Sequence, residues 1–228
     1  MQFTFRMMAM AACLLLSSSL VRAEETFKEG VHYLKLPKPV ELAEVNNIEV
    51  MEVFWYGCRH CYNLSPKFNT WQEGLGKDVN YHRLPAVWHP RMKLHAQAFY
   101  TAEQLGVMDK FHPKMYDEMN VRRRPFKTER EIADLFEKIG VERATFSEVF
   151  NSLEIKGKAL KAEQLTRQCL ITGTPRLVVQ GKYLISGRAL GGNDKMMEVA
   201  EFLIEKEREQ ASSDMEKDVL ESTAPKGS

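Results

Sequence analysis

Apolar positions along the chain change period several times, and each change predicts an element. His32 to Leu36 alternates and predicts a first strand, ended by Pro37 and Pro39. Glu24 to Gly30 is polar and predicts none, and Asn46-Asn47 reads as a turn. Ile48 to Tyr56 is nearly all apolar, as expected for a strand buried on both faces. Over 59–75, Cys61, Leu64, Phe68, Trp71 and Leu75 recur at helical spacing, closed by Gly74 and Gly76. Alternation returns over Val79 to Val87. Residues 48–87 thus read as a β-α-β unit with Cys58 and Cys61 at its strand-to-helix junction.

The pattern is then helical to residue 170, with segments expected at 92–105, 109–119, 128–139, 143–152 and 155–171. Gly106, Arg124-Pro125 and Gly140 separate them. A crossover needs far less chain, so 92–171 reads as an inserted helical domain. Arg176–Gln180 and Tyr183–Ser186 predict a hairpin with Gly181 in its turn. Asn193 is a candidate cap for a last helix, 194–210, with Met197, Ala200, Phe202, Leu203 and Ile204 available for packing. The polar segment 211–228, ending Pro-Lys-Gly-Ser, is expected to be a disordered tail. The whole is α/β: a strand-bearing domain over 30–91 and 172–210, interrupted by helices. There is no internal repeat.

Composition adds compartment and partners. Hydrophobic residues are 44% of the 228, enough for a substantial core, and the formal charge of +1 gives no electrostatic case for nucleic acid. Arg6, the apolar stretch Met7–Leu16 and Val21-Arg22-Ala23 form a cleavable secretory signal pattern over 1–23. The stretch is too short to span a bilayer, and Leu14-Leu15-Leu16 after Cys13 argues against a lipid site there. Cleavage would remove Arg6 and Arg22 and no acid, taking the charge from +1 to −1. Of the cysteines, Cys58, Cys61 and Cys169 would remain, too few for a disulfide-stapled scaffold. Export places Cys58-Arg59-His60-Cys61 in an oxidising compartment, where such a pair can be a working disulfide.

A thiolate, not a thiol, attacks a disulfide. Unpaired N–H groups and the dipole at a helix N-terminus favour the anion, so Cys58 is the expected nucleophile. Cys61, a turn further in and more buried, is the expected resolving thiol. A cationic Arg59 or His60 near Cys58 would lower its pKa and make the disulfide more oxidising. The alternative, half a zinc site, wants a second ligand pair; His82, His89, His95 and His112 are scattered, and no metal is expected.

Glu52 interrupts the apolar strand, on the face of Val50 and Phe54. Half-buried, it would have a raised pKa and could move the proton of Cys61; at a strand start it would merely point to water. Thr174-Pro175, before the returning strand, is either a cis turn or an ordinary trans proline at a strand entry. Cys169, beside Leu170 and Ile171, reads as a buried inert thiol. Arg122-Arg123-Arg124 reads as a solvated loop that could meet an acidic partner. Gly187, Gly191 and Gly192 lie in a loop, not a phosphate cradle. Trp55, Tyr56, Trp88 and Phe99 are core candidates, one or two of which could line a groove.

Together the signal, the apolar strand, Cys-x-His-Cys at a helix start, the long helical insertion and the returning Thr-Pro strand resemble the DsbA family over about residues 30–205. The resemblance implies a thioredoxin fold with an inserted all-helical domain, and a periplasmic thiol:disulfide interchange enzyme with no cofactor beyond a Cys58–Cys61 disulfide. It implies that Cys58 is the nucleophile, Cys61 its partner, His60 the active-site histidine and Glu52 the buried glutamate. Pro175 would be the cis-proline opposite the dithiol, and Thr174 the residue whose backbone contacts peptide. Expected partners are unfolded or reduced exported proteins and a DsbB-type membrane quinone oxidoreductase, with the protein itself a monomer. Arg59 departs from the family's usual proline: it adds charge but loses a pre-set helix start. Thr174 stands where many family oxidases carry Val and isomerase relatives carry Thr. An isomerase or reductase of the family, and a non-enzymatic chaperone using the same groove, are the competing readings; dimeric isomerases usually carry an extra N-terminal domain, and only residues 24–47 precede the core strand.

Overall fold

Strand β2 (Ile48–Phe54) is the centre of the molecule, and six of its seven residues are buried. It pairs in parallel with β3 (Val79–Pro85), from Ile48↔Val79 to Phe54↔Pro85. On its other edge it pairs antiparallel with β4 (Arg176–Val179). Beyond β4 lie β5 (Tyr183–Ile185) and β1 (Tyr33–Lys35), giving the order β1-β5-β4-β2-β3. A strand with a neighbour on each edge and packing on each face has few positions left for polar side chains, which is why its sequence is nearly continuous in apolar residues. The computed structural model describes residues 26–41 and 47–223; the expected signal over 1–23 lies outside them.

The parallel β2–β3 pair requires a crossover, supplied by α1 (Arg59–Glu73). The β4–β5 turn has positive φ at both Gln180 (51°) and Gly181 (59°), as a tight hairpin of matching twist demands. Gly181 is needed twice over, since a Cβ there would collide with the Val40 carbonyl.

Between β3 and β4 run α2 (Pro90–Gln104), α3 (Met108–Asn120), α4 (Glu129–Lys138), α5 (Arg143–Phe150) and α6 (Leu153–Gln168). The last helix is α7 (Lys195–Thr223). One face of the sheet packs Val50 against Leu64 and Phe68 of α1 and Val199 and Leu203 of α7. The other packs Met51 and Val53 against Met92 and Ala96 of α2 and Ala159 and Ala162 of α6. A third cluster joins the end of β2 to the helices: Phe54, Tyr56 and Cys61 share it with Phe99, Phe111, Tyr116, Phe136 and Phe146. The ring centroids of Phe111–Phe136 and Phe136–Phe146 lie 4.6 and 4.7 Å apart. Burial of each such ring contributes roughly 1.5–3 kcal/mol. The cysteine pair is therefore seated where the sheet and the helices share a core.

Several boundaries differ from the sequence expectation for identifiable reasons. Helix α2 starts at Pro90 because His89 caps it, its Nδ1 accepting from the Arg91 N–H at 3.2 Å. Helix α6 stops at Gln168, and Leu170 takes a positive φ of 54° just beyond its cap. The largest correction concerns the expected tail. Residues 211–223 continue α7 as helix, and only 224–228 lie outside the described residues. From Asp194 to Thr223 there is no Gly or Pro, and Glu, Lys, Met and Ala dominate. Residues 211–217 are all exposed, so their polarity marked a solvated helix rather than absence of structure; Gln210 Nε2 donates to Asp214 Oδ1 at 2.9 Å, one turn on.

Candidate active site

The loop leaving β2 delivers Cys58 to the start of α1. The Cys58 N–H donates to the Trp55 carbonyl at 2.9 Å, closing a tight turn. A Cβ at Gly57 would run into the Trp55 indole, so a larger residue there would have to displace that ring. Cys58 then takes the N-cap position, with extended backbone (φ −91°, ψ 112°), and its sulfur accepts from the Cys61 N–H at 3.4 Å. A sulfur thus fills the role usually played by a Ser or Asp oxygen, against donors that would otherwise be orphaned. Cys61, one turn on, is fully buried while Cys58 keeps partial access to solvent. Both are free thiols.

This asymmetry splits their acidities. The hydrogen bond between the two side chains is the largest influence lowering Cys58, opposed by burial and reinforced by Thr174 and the backbone N–H groups of Cys61 and His60; its pKa is held down to about 6. Burial first, then the neighbouring Cys58, push Cys61 well above the usual thiol range. The pair therefore binds one proton at neutral pH, and Cys61 keeps it.

Opposite the sulfur stands the loop before β4. The Thr174–Pro175 peptide bond is cis, and the Cys58 thiol lies 3.4 Å from the Thr174 carbonyl oxygen as donor. Thr174, Pro175, Arg176, His60 and Arg188 line a cleft of about 630 Å³ beside it. Arg59 and His60 are both exposed. The Arg59 guanidinium turns to α3 instead of the sulfur: its Nη1 donates to the Asn120 carbonyl at 2.9 Å, and it lies 5.4 Å from the centroid of Tyr62. Hydrogen bonds, rather than the Arg59 charge, are the leading influences lowering Cys58.

Glu52 is 1% exposed, which removes the water-facing alternative. It accepts hydrogen bonds from the Tyr81 hydroxyl and from Arg83 Nε, the latter at 3.0 Å. Burial is the largest influence on its carboxyl and raises its pKa despite the Arg83 charge. Its Oε1 is buried without a partner, as are the Tyr116 hydroxyl and His112 Nε2. The Tyr116 hydroxyl feels the charges of both Cys61 and Glu52. His112 Nδ1 meets the Tyr56 hydroxyl at 2.9 Å, and burial pulls its pKa down to about 3. The sequence reading missed Tyr81, Arg83, His112 and Tyr116. A signal existed for two of them: alternation along β3 puts Tyr81 and Arg83 on one face, and the register sets Arg83 beside Glu52.

Arg122, Arg123 and Arg124 form a largely exposed loop as expected, and Arg122 and Arg124 in addition lie 3.5 and 3.1 Å from the carboxylate of buried Glu118 on α3. His95 accepts from Trp55 Nε1 at 3.1 Å, which leaves its Nε2 to donate to the Phe126 carbonyl at 2.9 Å. Cys169 is fully buried at the C-terminal cap of α6. Tyr56 and Phe99 are core, whereas Trp88 is 47% exposed. Among the described residues, no three His, Cys, Asp or Glu side chains converge as a metal-ligand set.

Comparison with known proteins agrees with this geometry. A sequence model described as a DSBA-like thioredoxin domain matches residues 38–203. The thiol:disulfide interchange protein DsbA of Pseudomonas aeruginosa is 36% identical over 184 residues, covering 81% of this chain and 87% of the relative. The protein of the same name from Pseudomonas syringae pv. tomato is 35% identical over 192 residues, covering 84% and 90%. The crystal structure of Pseudomonas aeruginosa DsbA superimposes with a TM-score of 0.78 at 36% identity, over 82% of this chain and 97% of that one. The sheet with α1 and α7 is thus a thioredoxin fold, with α2–α6 as its helical insertion, and the chain belongs to the DsbA family of thiol:disulfide interchange oxidoreductases.

Proposed function

We propose that the enzyme acts through Cys58 and Cys61, donating their disulfide to reduced exported proteins in the periplasm. The observation that carries this reading is the split between the two thiols, one held down to about 6 and the other pushed up. A substrate thiolate attacks Cys58 Sγ, a new S–S bond forms, and the Cys58–Cys61 bond breaks with Cys61 leaving as the thiolate. A second substrate thiolate then attacks the substrate sulfur of the mixed disulfide and expels Cys58 as a thiolate. The substrate is oxidised by two electrons, and the enzyme is left with its dithiol. A low pKa makes Cys58 a good leaving group, so the second step runs forward.

Glu52 is the group proposed to move the Cys61 proton. Burial raises its pKa and so favours the protonated carboxyl, and Tyr116, which senses both groups, lies in the buried polar region around them. Thr174 and Pro175 would form the wall against which the substrate chain lies, supported by the 3.4 Å contact between Thr174 and Cys58. Arg59 and His60 would tune the pair from its exposed side. The signal pattern over 1–23 supports export, and re-oxidation by a DsbB-type membrane partner follows by family analogy.

The test is the equilibrium of the purified protein with glutathione, alongside the Cys58→Ala variant. A strongly oxidising potential, and loss of activity on replacing Cys58, are the expected results. A potential near that of reducing thioredoxins would overturn the oxidase direction. Activity that survives Cys58→Ala would mean a chaperone with an idle dithiol.

A further inference from the structure

The wall of the cleft beyond Pro175 carries two arginines and no acid. Arg176 follows Pro175 directly and opens β4. Its Nη1 donates to the Pro175 carbonyl at 2.8 Å, while Nη2 is turned towards Gly173 on the cleft side. Arg188, exposed in the loop between β5 and α7, lines the same cleft. The two are close enough for their charges to oppose each other. The rest of the lining is His60, Asn193, two threonines, Pro175 and small glycines, with no carboxylate among them. By contrast, Arg83, Arg124, Arg143, Arg167 and Arg208 each meet a carboxylate of this chain within 3.2 Å.

Placing like charges side by side is unfavourable unless an anion joins them. Arg176 is also half-buried, so desolvation has already been met and a carboxylate arriving there interacts more strongly than at an open surface. Position says which carboxylate. A substrate sulfur bonded to Cys58 lies against Thr174, two residues before Arg176. An extended chain advances about 3.3 Å per residue, so side chains one to three residues from the substrate cysteine fall within reach of the arginines.

We propose that Arg176 and Arg188 form an anion-recognising wall that selects reduced substrates carrying Asp or Glu within about three residues of the reacting cysteine. This rests on the reading of Cys58 as the site of the mixed disulfide. The competing possibility is that the arginines only adjust the Cys58 thiolate, which would accelerate every substrate alike. The discriminating quantity is therefore a ratio of rates between substrates.

The experiment uses the oxidised enzyme and two dithiol peptides identical except for Asp against Asn two residues from one cysteine. At low salt the Asp peptide is expected to react about tenfold faster, and the advantage should shrink to about twofold at high salt. In Arg176→Gln/Arg188→Gln the ratio should fall to about one, while Arg176→Lys/Arg188→Lys keeps most of it. Arg188→Gln alone, in an exposed loop, should lower the ratio about threefold, which covers the case that the double variant folds poorly. A wild-type ratio of one, or an Asp preference that persists without both arginines, overturns the proposal. If the wild type oxidises both peptides equally, only the arginine wall falls. If it oxidises neither, the disulfide-donor reading falls with it.

Discussion

Two cysteines of this chain sit at helix ends of opposite polarity, and they behave as different residues. Cys58 caps the start of α1, where N–H groups point at its sulfur, and its pKa is held down to about 6. Cys169 caps the end of α6, where the helix presents carbonyls, and burial pushes its thiol up to about 11. Burial raises both. What separates them is the supply of hydrogen-bond donors: Cys58 has the Cys61 thiol, the Thr174 side chain and two backbone N–H groups, and no such donor lowers Cys169. A reactive thiol is thus made by partial burial together with donors, and an inert one by burial alone.

The largest test of this contrast is deletion. Cys58→Ala should reduce dithiol oxidation to the uncatalysed background, while Cys169→Ala should leave the rate within about twofold, since Cys169 touches nothing in the cleft. Peptide oxidation followed by fluorescence checks both. A similar loss from Cys169→Ala would mean that the α6 cap communicates with the site.

Alkylation of the reduced, folded enzyme reads the same contrast directly. At pH 7 the thiolate fractions of pKa 6 and pKa 11 thiols differ by about four orders of magnitude. Nucleophilicity falls as pKa falls and returns about two of those orders. Iodoacetamide should therefore modify Cys58 roughly a hundredfold faster than Cys169, before any shielding by burial, and peptide mass mapping gives the ratio.

The depressed Cys58 pKa also sets how the reduced enzyme responds to pH. Unfolded, the thiol titrates near 9; folded, near 6. The folded state then binds fewer protons between those values, so the stabilisation is fully present above about pH 9 and is lost as pH falls through about 6. The difference between 9 and about 6 corresponds to about 4 kcal/mol, which solvent screening of the part-exposed sulfur reduces to something on the order of 2 kcal/mol, and it should be missing from the oxidised form, which has no thiolate. Urea midpoints of both forms across this window test it; parallel pH profiles for the two forms would contradict the assignment.

How much of this was legible beforehand depends on the range of the interaction involved. Strand β2, helix α1 and the placing of Cys58 at their junction follow from local periodicity and were readable. The burial of Glu52 was not, because it depends on Tyr81 and Arg83 arriving from β3 across the sheet. Arg122-Arg123-Arg124 was readable as a solvated loop, but the pairing of Arg122 and Arg124 with Glu118 was not, because that carboxylate becomes buried only when α3 packs. The helical stretch 211–223 failed differently, through composition: polar residues without Gly or Pro are compatible with a solvated helix, and polarity alone does not tell the two apart.

Arg59 supplies the smallest and sharpest test. From sequence, its charge beside Cys58 was expected to stabilise the thiolate. In the folded chain its guanidinium is bonded to the Asn120 carbonyl and lies over Tyr62, in solvent. A solvated charge that is already engaged elsewhere contributes little across water. Arg59→Ala should therefore move the Cys58 titration, followed by thiolate ultraviolet absorbance, by less than about half a pH unit. Arg59→Pro changes the backbone at the first residue of α1 as well as the charge, and fixes φ where the N–H donors to the sulfur begin. If the alanine variant barely moves the titration and the proline variant moves it, the geometry of the donors controls the acidity. If alanine alone moves it by a full pH unit or more, charge is the controlling influence, and the difference between the two helix ends would have to be rebuilt on Arg59.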